Sequence, residues 1–265
     1  MLTLDNVTYR YPGAPRASLG GVSLTLGPGE VVGVVGPTES GKSTLCLVAA
    51  GLAPRSVGGM LVGQVAVDER SLSGVPAGET AGLVGIAFAG ANLSGVCSTV
   101  YEEVAFGPMN LGVERAEVMA RTERALAAVG IPELAERDPE HLSGGQRQLV
   151  ALAGVLAIEP AHLVLDEPTA MLDPAGTRLI GEAIAAVAAA GASILIAEQK
   201  TDLLAGVCGR VLVLGAGSIV LEGDAEAVLG DPDLESLGVE PPTSVRLERL
   251  ARAAGVDPAR VAVPS

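Results

Sequence analysis

"GEVVGVVGPTESGKSTLCLVAAGL", residues 29–52, decides how this chain folds. The run "GEVVGVVG" is apolar and rich in valine, with glycine at both ends, which predicts a short buried strand. "GKSTLCLVAAGL" has apolar residues at helical spacing and stops near Gly51. Between them Gly36, Pro37, Thr38, Glu39, Ser40, Gly41, Lys42, Ser43 and Thr44 match G-x-x-x-x-G-K-[ST]. Strand, glycine loop and helix in that order form a phosphate cradle. Loop amides and the positive end of the helix receive phosphate oxygens, Lys42 reaches the outer phosphates, and the Ser43 hydroxyl is placed to ligate Mg²⁺. Glu39 occupies a place often held by glycine; an acid beside phosphates is expected to point to solvent.

The surrounding composition bounds what such a cradle can belong to. With 265 residues and 49% hydrophobic content the chain can bury a sizeable core. A net charge of -14 argues against a nucleic-acid partner held through basic patches. The most apolar segment, "AIAAVAAAGASILIA", is broken by Gly191 and Ser193. No stretch reaches the roughly 20 uninterrupted apolar residues of a membrane-spanning helix. "MLTLDNVTYRY" has neither a basic nor an apolar leader region, so a cytosolic protein is expected. Cys46, Cys97 and Cys208 are far apart and odd in number, which reads as buried, inert thiols. Neither His141 nor His162 has a partner at ligand spacing.

Before the cradle, "LTLDNVTYRY" and "GVSLTL" predict an antiparallel sheet feeding the buried strand. Residues 92–148 turn helical, with "RAEVMARTERALAAVG" carrying apolar positions three and four apart, and read as a helical insertion. From Gln146, "QRQLVALAGVLA" leads into "HLVLDE", and "IGEAIAAVAAAG" leads into "SILIAE". These are βαβ units of a parallel sheet. "VLVLGAGSIVLEG" predicts a late hairpin. The Pro- and charge-rich residues 231–265 predict a peripheral tail with one helix at "SVRLERLARAAG".

Two further motifs carry chemistry. "LVLDEP" is an apolar strand ending in two carboxylates; beside a phosphate loop, Asp166 is placed to hold Mg²⁺ and Glu167 to orient or deprotonate an attacking water. "LSGGQRQ", comprising Leu142, Ser143, Gly144, Gly145 and Gln146 with the two residues that follow, combines a good N-cap with glycines that let a ligand approach the backbone. Alone it would also suit an ordinary helix start.

Taken together, these motifs resemble those of the ATP-binding cassette (ABC) ATPases over residues 1–230, with Walker A at 36–44, the signature at 142–146, Walker B at 163–167 and "AMLD", ending in Asp173, as the D-loop. The resemblance implies an α/β fold with a RecA-like P-loop NTPase core, an N-terminal antiparallel β subdomain and a helical insertion. It also implies ATP and Mg²⁺ as ligands. Tyr11 matches the family's adenine-stacking aromatic, although a lone Tyr in a strand equally suits a core position. "YEEVAFGPMNLGV", "AMLD" and "LIAEQKTDLL" are similar to the ATPase subunits of energy-coupling factor (ECF) transporters, which import vitamins and transition-metal ions. The family mechanism implies a head-to-tail pair of ATPase subunits, homo- or heteromeric, in which Ser143, Gly144 and Gly145 act on the partner's nucleotide. A transmembrane coupling protein and a substrate-binding membrane protein are the implied partners, placing the chain on the inner face of a membrane. A chain that binds ATP as a regulatory half with little hydrolysis of its own is the alternative.

Two polar groups of the family pattern are missing. Ala89 stands where the family carries a Gln that contacts Mg²⁺ and water, with Asn92 as a possible substitute. Gln199 in "AEQK" stands at the switch histidine that contacts the γ-phosphate. A Gln amide donates a hydrogen bond but has no cationic form. Lys42, Glu167 and Gln199 are therefore the expected catalytic set, with a weakened own site.

Overall fold

Every residue of the runs VVGVV, HLVLD and SILIA is buried, so both faces of the strands they form must be covered. The computed structural model describes residues 1–256 except 89, 91, 92, 94 and 171. In chain order it begins with β1 (Leu2–Arg10), β2 (Leu19–Leu26), β3 (Val31–Val35), α1 (Lys42–Ala49), β4 (Met60–Val67), β5 (Arg70–Ser71), α2 (Ala77–Leu83) and β6 (Val84–Phe88). The helical part follows as α3 (Val100–Asn110), α4 (Arg115–Ala128) and α5 (Gly144–Ala157). The chain then alternates through β7 (His162–Asp166), α6 (Pro174–Ala189), β8 (Ser193–Ala197) and α7 (Thr201–Val207). Last come β9 (Arg210–Gly215), β10 (Ser218–Asp224), α8 (Ala225–Leu229) and α9 (Thr243–Ala253).

Two sheets result. The first is antiparallel with order β2-β1-β4-β5. The second has order β10-β9-β3-β8-β7-β6, parallel from β9 to β6 with β10 antiparallel at the edge. Alternation along the strands divides the core. Leu163, Leu165, Ile194 and Ile196 join the cluster that includes residues of α3 to α6, while Val164, Leu195 and Ala197 join the cluster under α1 and the antiparallel sheet. The α/β architecture, N-terminal sheet and helical insertion are therefore those expected from the sequence. Among the described residues no helix is long and apolar enough to cross a membrane.

Some boundaries differ from the sequence reading. The helix expected from Gln146 starts at Gly144, because Ser143 caps it, and it runs on to Ala157 as the link from the helical part to β7. Strands β4 and β5 join the antiparallel sheet although no sequence pattern announced them. The segment after residue 230 is not peripheral at its start: Leu234 and Val239 are 0% and 5% exposed and belong to the main core cluster. Thr201 Oγ1 donates to the Glu240 carbonyl at 2.8 Å, and Asp202 accepts from the Thr243 N–H and hydroxyl at 2.7 and 3.0 Å. Only from α9, where Ala251 is the one buried residue, does the segment lie on the surface.

Leu234→Ala is expected to lower the unfolding free energy by about 2–5 kcal/mol in a urea titration. A change below about 0.5 kcal/mol, the range of ordinary surface substitutions, would show that residues 231–240 contribute nothing to the core.

Candidate nucleotide site

Strand β3 delivers the chain into a loop that only unusual backbone can follow. Gly36 has φ +155°, and a Cβ there would stand 2.2 Å from the Leu214 carbonyl oxygen. Gly41 has φ +106°, and a Cβ would stand 2.6 Å from the Ser18 carbonyl oxygen. Both positions exclude a side chain. Glu39 also has positive φ, +65°, and its side chain is exposed, as expected of an acid beside phosphate. Helix α1 starts at Lys42 with Gly41 as an N-cap that offers no side-chain acceptor, so its first amides remain available to an anion.

Lys42 is buried, and its Nζ donates to the Gly36 and Pro37 carbonyls at 2.7 and 3.0 Å. Burial pushes this ammonium down from its ordinary range, opposed by the charges of Glu167 and Asp166. Ser43 Oγ donates to Asp166 Oδ1 at 3.1 Å. Burial pushes the Asp166 carboxyl up; the Ser43 hydrogen bond opposes this, and the Glu167 charge adds to it. A hydroxyl and a desolvated carboxylate with a second acid alongside form a hard oxygen donor set, which fits a divalent cation such as Mg²⁺.

Glu167 leaves β7 with φ +51°, its N–H donating to the Ala197 carbonyl at 2.8 Å. Its Oε1 accepts from Gln199 Nε2 at 3.0 Å. The structure thus brings Gln199 directly to the second acid of "LVLDEP", a contact that the sequence did not announce. Glu198, also unremarked in the sequence, is buried between the two loops. Its only sequence signal was a carboxylate following the mostly apolar run SILIA.

A cleft of about 660 Å³ is lined by residues 38–44, the 15–18 loop, Glu167, Gln199 and the 216–217 turn. Arg16 stands exposed at its rim, a cation that no motif singles out. Tyr11 is half-buried beside the P-loop helix, with Oη 3.3 Å from Thr44 Oγ1 and its ring edge-to-face on Tyr9 at 4.9 Å.

The signature residues lie elsewhere: none of residues 142–146 lines this cleft. Leu142 is buried, whereas Ser143 and Gly144 are exposed. Ser143 and Gln146 form a reciprocal cap on α5, at 3.2 and 3.0 Å. Asp173 is exposed at the start of α6 and accepts from the Gly176 N–H at 2.7 Å. Ala89 and Asn92 lie outside the described residues. Gln148 Nε2 donates to the Phe88 carbonyl at 3.3 Å, linking α5 to the end of β6.

Of the cysteines, Cys46 is buried as expected, and burial pushes its thiol well up. Cys97 and Cys208 are only partly buried, though burial still pushes the Cys208 thiol up to about 12.

Comparison with known proteins agrees with this geometry. Residues 19–170 match the ABC transporter family. The chain is 40% identical over 252 residues to the energy-coupling factor transporter ATP-binding protein EcfA of Methanosarcina acetivorans, covering 94% of this chain and 89% of that protein. Its fold is similar to that of cbiO1 from Clostridium perfringens, part of the ABC transporter complex cbiONQ, with TM-score 0.78 and 28% identity over 96% of this chain and 98% of that one. It is also similar to the dimeric post-hydrolysis state of the cassette MJ0796 bound to ADP and Pi, with TM-score 0.74 and 25% identity over 85% and 99% of the two chains. A phosphate loop, a Ser–Asp pair and an acid–amide pair around one cleft, in a chain of this ancestry, belong to a nucleotide-hydrolysing enzyme: the protein is a member of the ABC transporter family and an ABC-type ATPase.

Proposed function

We propose that this chain is an ATP-hydrolysing subunit of an ECF-type importer of vitamins or transition-metal ions, peripheral on the inner face of the membrane, and that its own catalytic site is weakened. The observation that carries this reading is the division of the site. The P-loop, Asp166, Glu167 and Gln199 share one end of the parallel sheet, while Ser143 and Gly144 are exposed and do not line that cleft. A second ATPase subunit, the same or different, is therefore needed to close each nucleotide between one chain's Walker motifs and the other's signature. Similarity to EcfA and to a member of a cbiONQ complex supports an importer with membrane-embedded partners. The exposed Phe88 at the end of β6 and Phe106 and Met109 on α3 offer apolar contacts to a transmembrane coupling protein.

In this reading the P-loop amides and Lys42 bind the phosphates of ATP, and Lys42 exchanges its loop carbonyls for phosphate oxygens. Tyr11 supports the adenine. Ser43 and Asp166 hold Mg²⁺, which neutralises phosphate charge when bound. Glu167 takes a proton from the attacking water, oriented by the Gln199 amide at its Oε1. Because that amide carries no charge, it stabilises the charge developing on the γ-phosphate less than an imidazolium would. Ala89 adds nothing at the position of the family's Gln. Binding is thus preserved and chemistry slowed, while the intact signature serves the partner's site.

Turnover of the heteromeric dimer separates the two sites. Glu167→Gln in this chain is expected to lower it by less than about twofold, and the matching change in the partner by about 10²-fold or more; equal losses would refute the asymmetry. Gln199→His combined with Ala89→Gln is expected to raise turnover by up to about tenfold, whereas no gain would show that the γ-phosphate is sensed by another group. Lys42→Ala should abolish ATP binding in a fluorescent-nucleotide titration.

A further inference from the structure

Strand β8 ends at Ala197, and the next side chain, Glu198, is a carboxylate only 2% exposed. An ion buried to that degree is destabilising unless donors surround it. Four do. Oε1 accepts from the Thr169 N–H at 2.9 Å and from the Thr169 hydroxyl. Oε2 accepts from the N–H groups of Gln199 at 3.0 Å and Lys200 at 3.4 Å. Every group hydrogen-bonded to the carboxylate donates to it, so an amide at this position would turn its NH₂ towards at least one N–H.

The donors belong to two loops. Thr169 sits two residues after Glu167, and Gln199 and Lys200 lie in the loop that follows β8. Between the same two loops runs the Gln199–Glu167 hydrogen bond. A closed ring results: Glu167 to Thr169 through the chain, Thr169 to Glu198 by hydrogen bonds, Glu198 to Gln199 through the chain and by hydrogen bond, and Gln199 back to Glu167.

We propose that Glu198 is a positioning residue for ATP hydrolysis, its buried carboxylate clamping the Thr169 turn to the switch loop so that Gln199 stays within hydrogen-bond reach of Glu167. The kinetic consequence rests on hydrolysis at this chain's own cleft, as proposed above; the clamp itself does not. Glu198 need not touch the nucleotide to act this way. Its removal should therefore separate turnover from binding, which loss of a merely structural acid would not do.

The test compares Glu198→Gln, Thr169→Val and Thr169→Ser in this chain, paired with its ATPase partner carrying the change that matches Glu167→Gln so that only this chain's cleft turns over, by steady-state kinetics, fluorescent-nucleotide binding and hydrogen–deuterium exchange. Glu198→Gln is expected to lower kcat by about 10- to 100-fold, the scale of a small misplacement, while the Kd for ATP stays within about twofold and exchange accelerates at residues 199 and 200 but not in β7 or β8. Thr169→Val should change kcat and exchange in the same direction, and Thr169→Ser, which keeps the hydroxyl, should behave as wild type. In a Gln199→Ala background Glu198→Gln should lower kcat no further, because the group it positions is already gone. Unchanged kcat and exchange in Glu198→Gln, parallel loss of binding and turnover, or independent losses in the double variant would each overturn the clamp. Should Glu198→Gln fail to fold, Thr169→Val decides in the same way. If the wild-type chain turns over no ATP in that pair, the hydrolysis reading fails, and exchange at 199 and 200 alone decides whether the clamp stands.

Discussion

One row of residues across the parallel sheet fixes everything around the cleft. Val34 pairs with Ala197, Ala197 with Asp166, and Asp166 with Phe88, so the strands β3, β8, β7 and β6 reach the same level side by side. The ladder extends slightly further through Glu198 N–H to the Val34 carbonyl and Glu167 N–H to the Ala197 carbonyl. The loops leaving that level are the P-loop, the switch loop and the Walker B turn. The Ser43–Asp166 hydrogen bond spans 123 positions of sequence only because this register holds. A slip of one residue would send each of these side chains to the other face of the sheet, and burial of the strands on both faces makes such a slip costly. The carboxyl-terminal edge of an open α/β sheet is where ligands generally bind; here three neighbouring strands supply the cradle, the acids and the switch.

How much of this the sequence disclosed depended on how local the cause was. The P-loop, β3, α1, β7 and β8 were legible because each is set by short-range pattern: buried apolar runs, two crowded glycines, a helical stripe. Ser143 as an N-cap was legible for the same reason, although the helix it caps began two residues earlier than the apolar spacing suggested. Strands β4 and β5 were not legible. Only the last three residues of β4 are buried, and its alternation is interrupted at Gly63, so its pairing with β1 is a tertiary outcome without a local signature. The 231–240 segment misled through composition: proline and charge marked it as peripheral, while Leu234 and Val239, with Leu237 packed alongside, anchor it in the core. Glu198 and the Gln199–Glu167 contact were invisible for a related reason, since both depend on two loops meeting across 29 to 32 positions of sequence.

The charges at the cleft explain what the missing imidazole would change. Lys42 faces Asp166, Glu167 and Glu198, all of which oppose the effect of burial on its ammonium. Gln199 adds a donor to this acidic group without adding charge. In the proposed reading, positive potential for the γ-phosphate must then come from Lys42, from the metal that Ser43 and Asp166 fit, and from backbone dipoles. Part of the last is out of this chain's reach within its own cleft: the amino end of α5, capped by Ser143 and opened by Gly144, points to solvent rather than to the P-loop. In a head-to-tail pair those amides serve the neighbour's nucleotide, and the neighbour's serve this one. A chain with a complete signature and an uncharged switch then gives its partner a full set of dipoles while its own site relies more heavily on those it receives. In the proposed reading, that inequality favours pairing with a different ATPase subunit, one whose own switch carries the imidazole, over pairing with a second copy of itself.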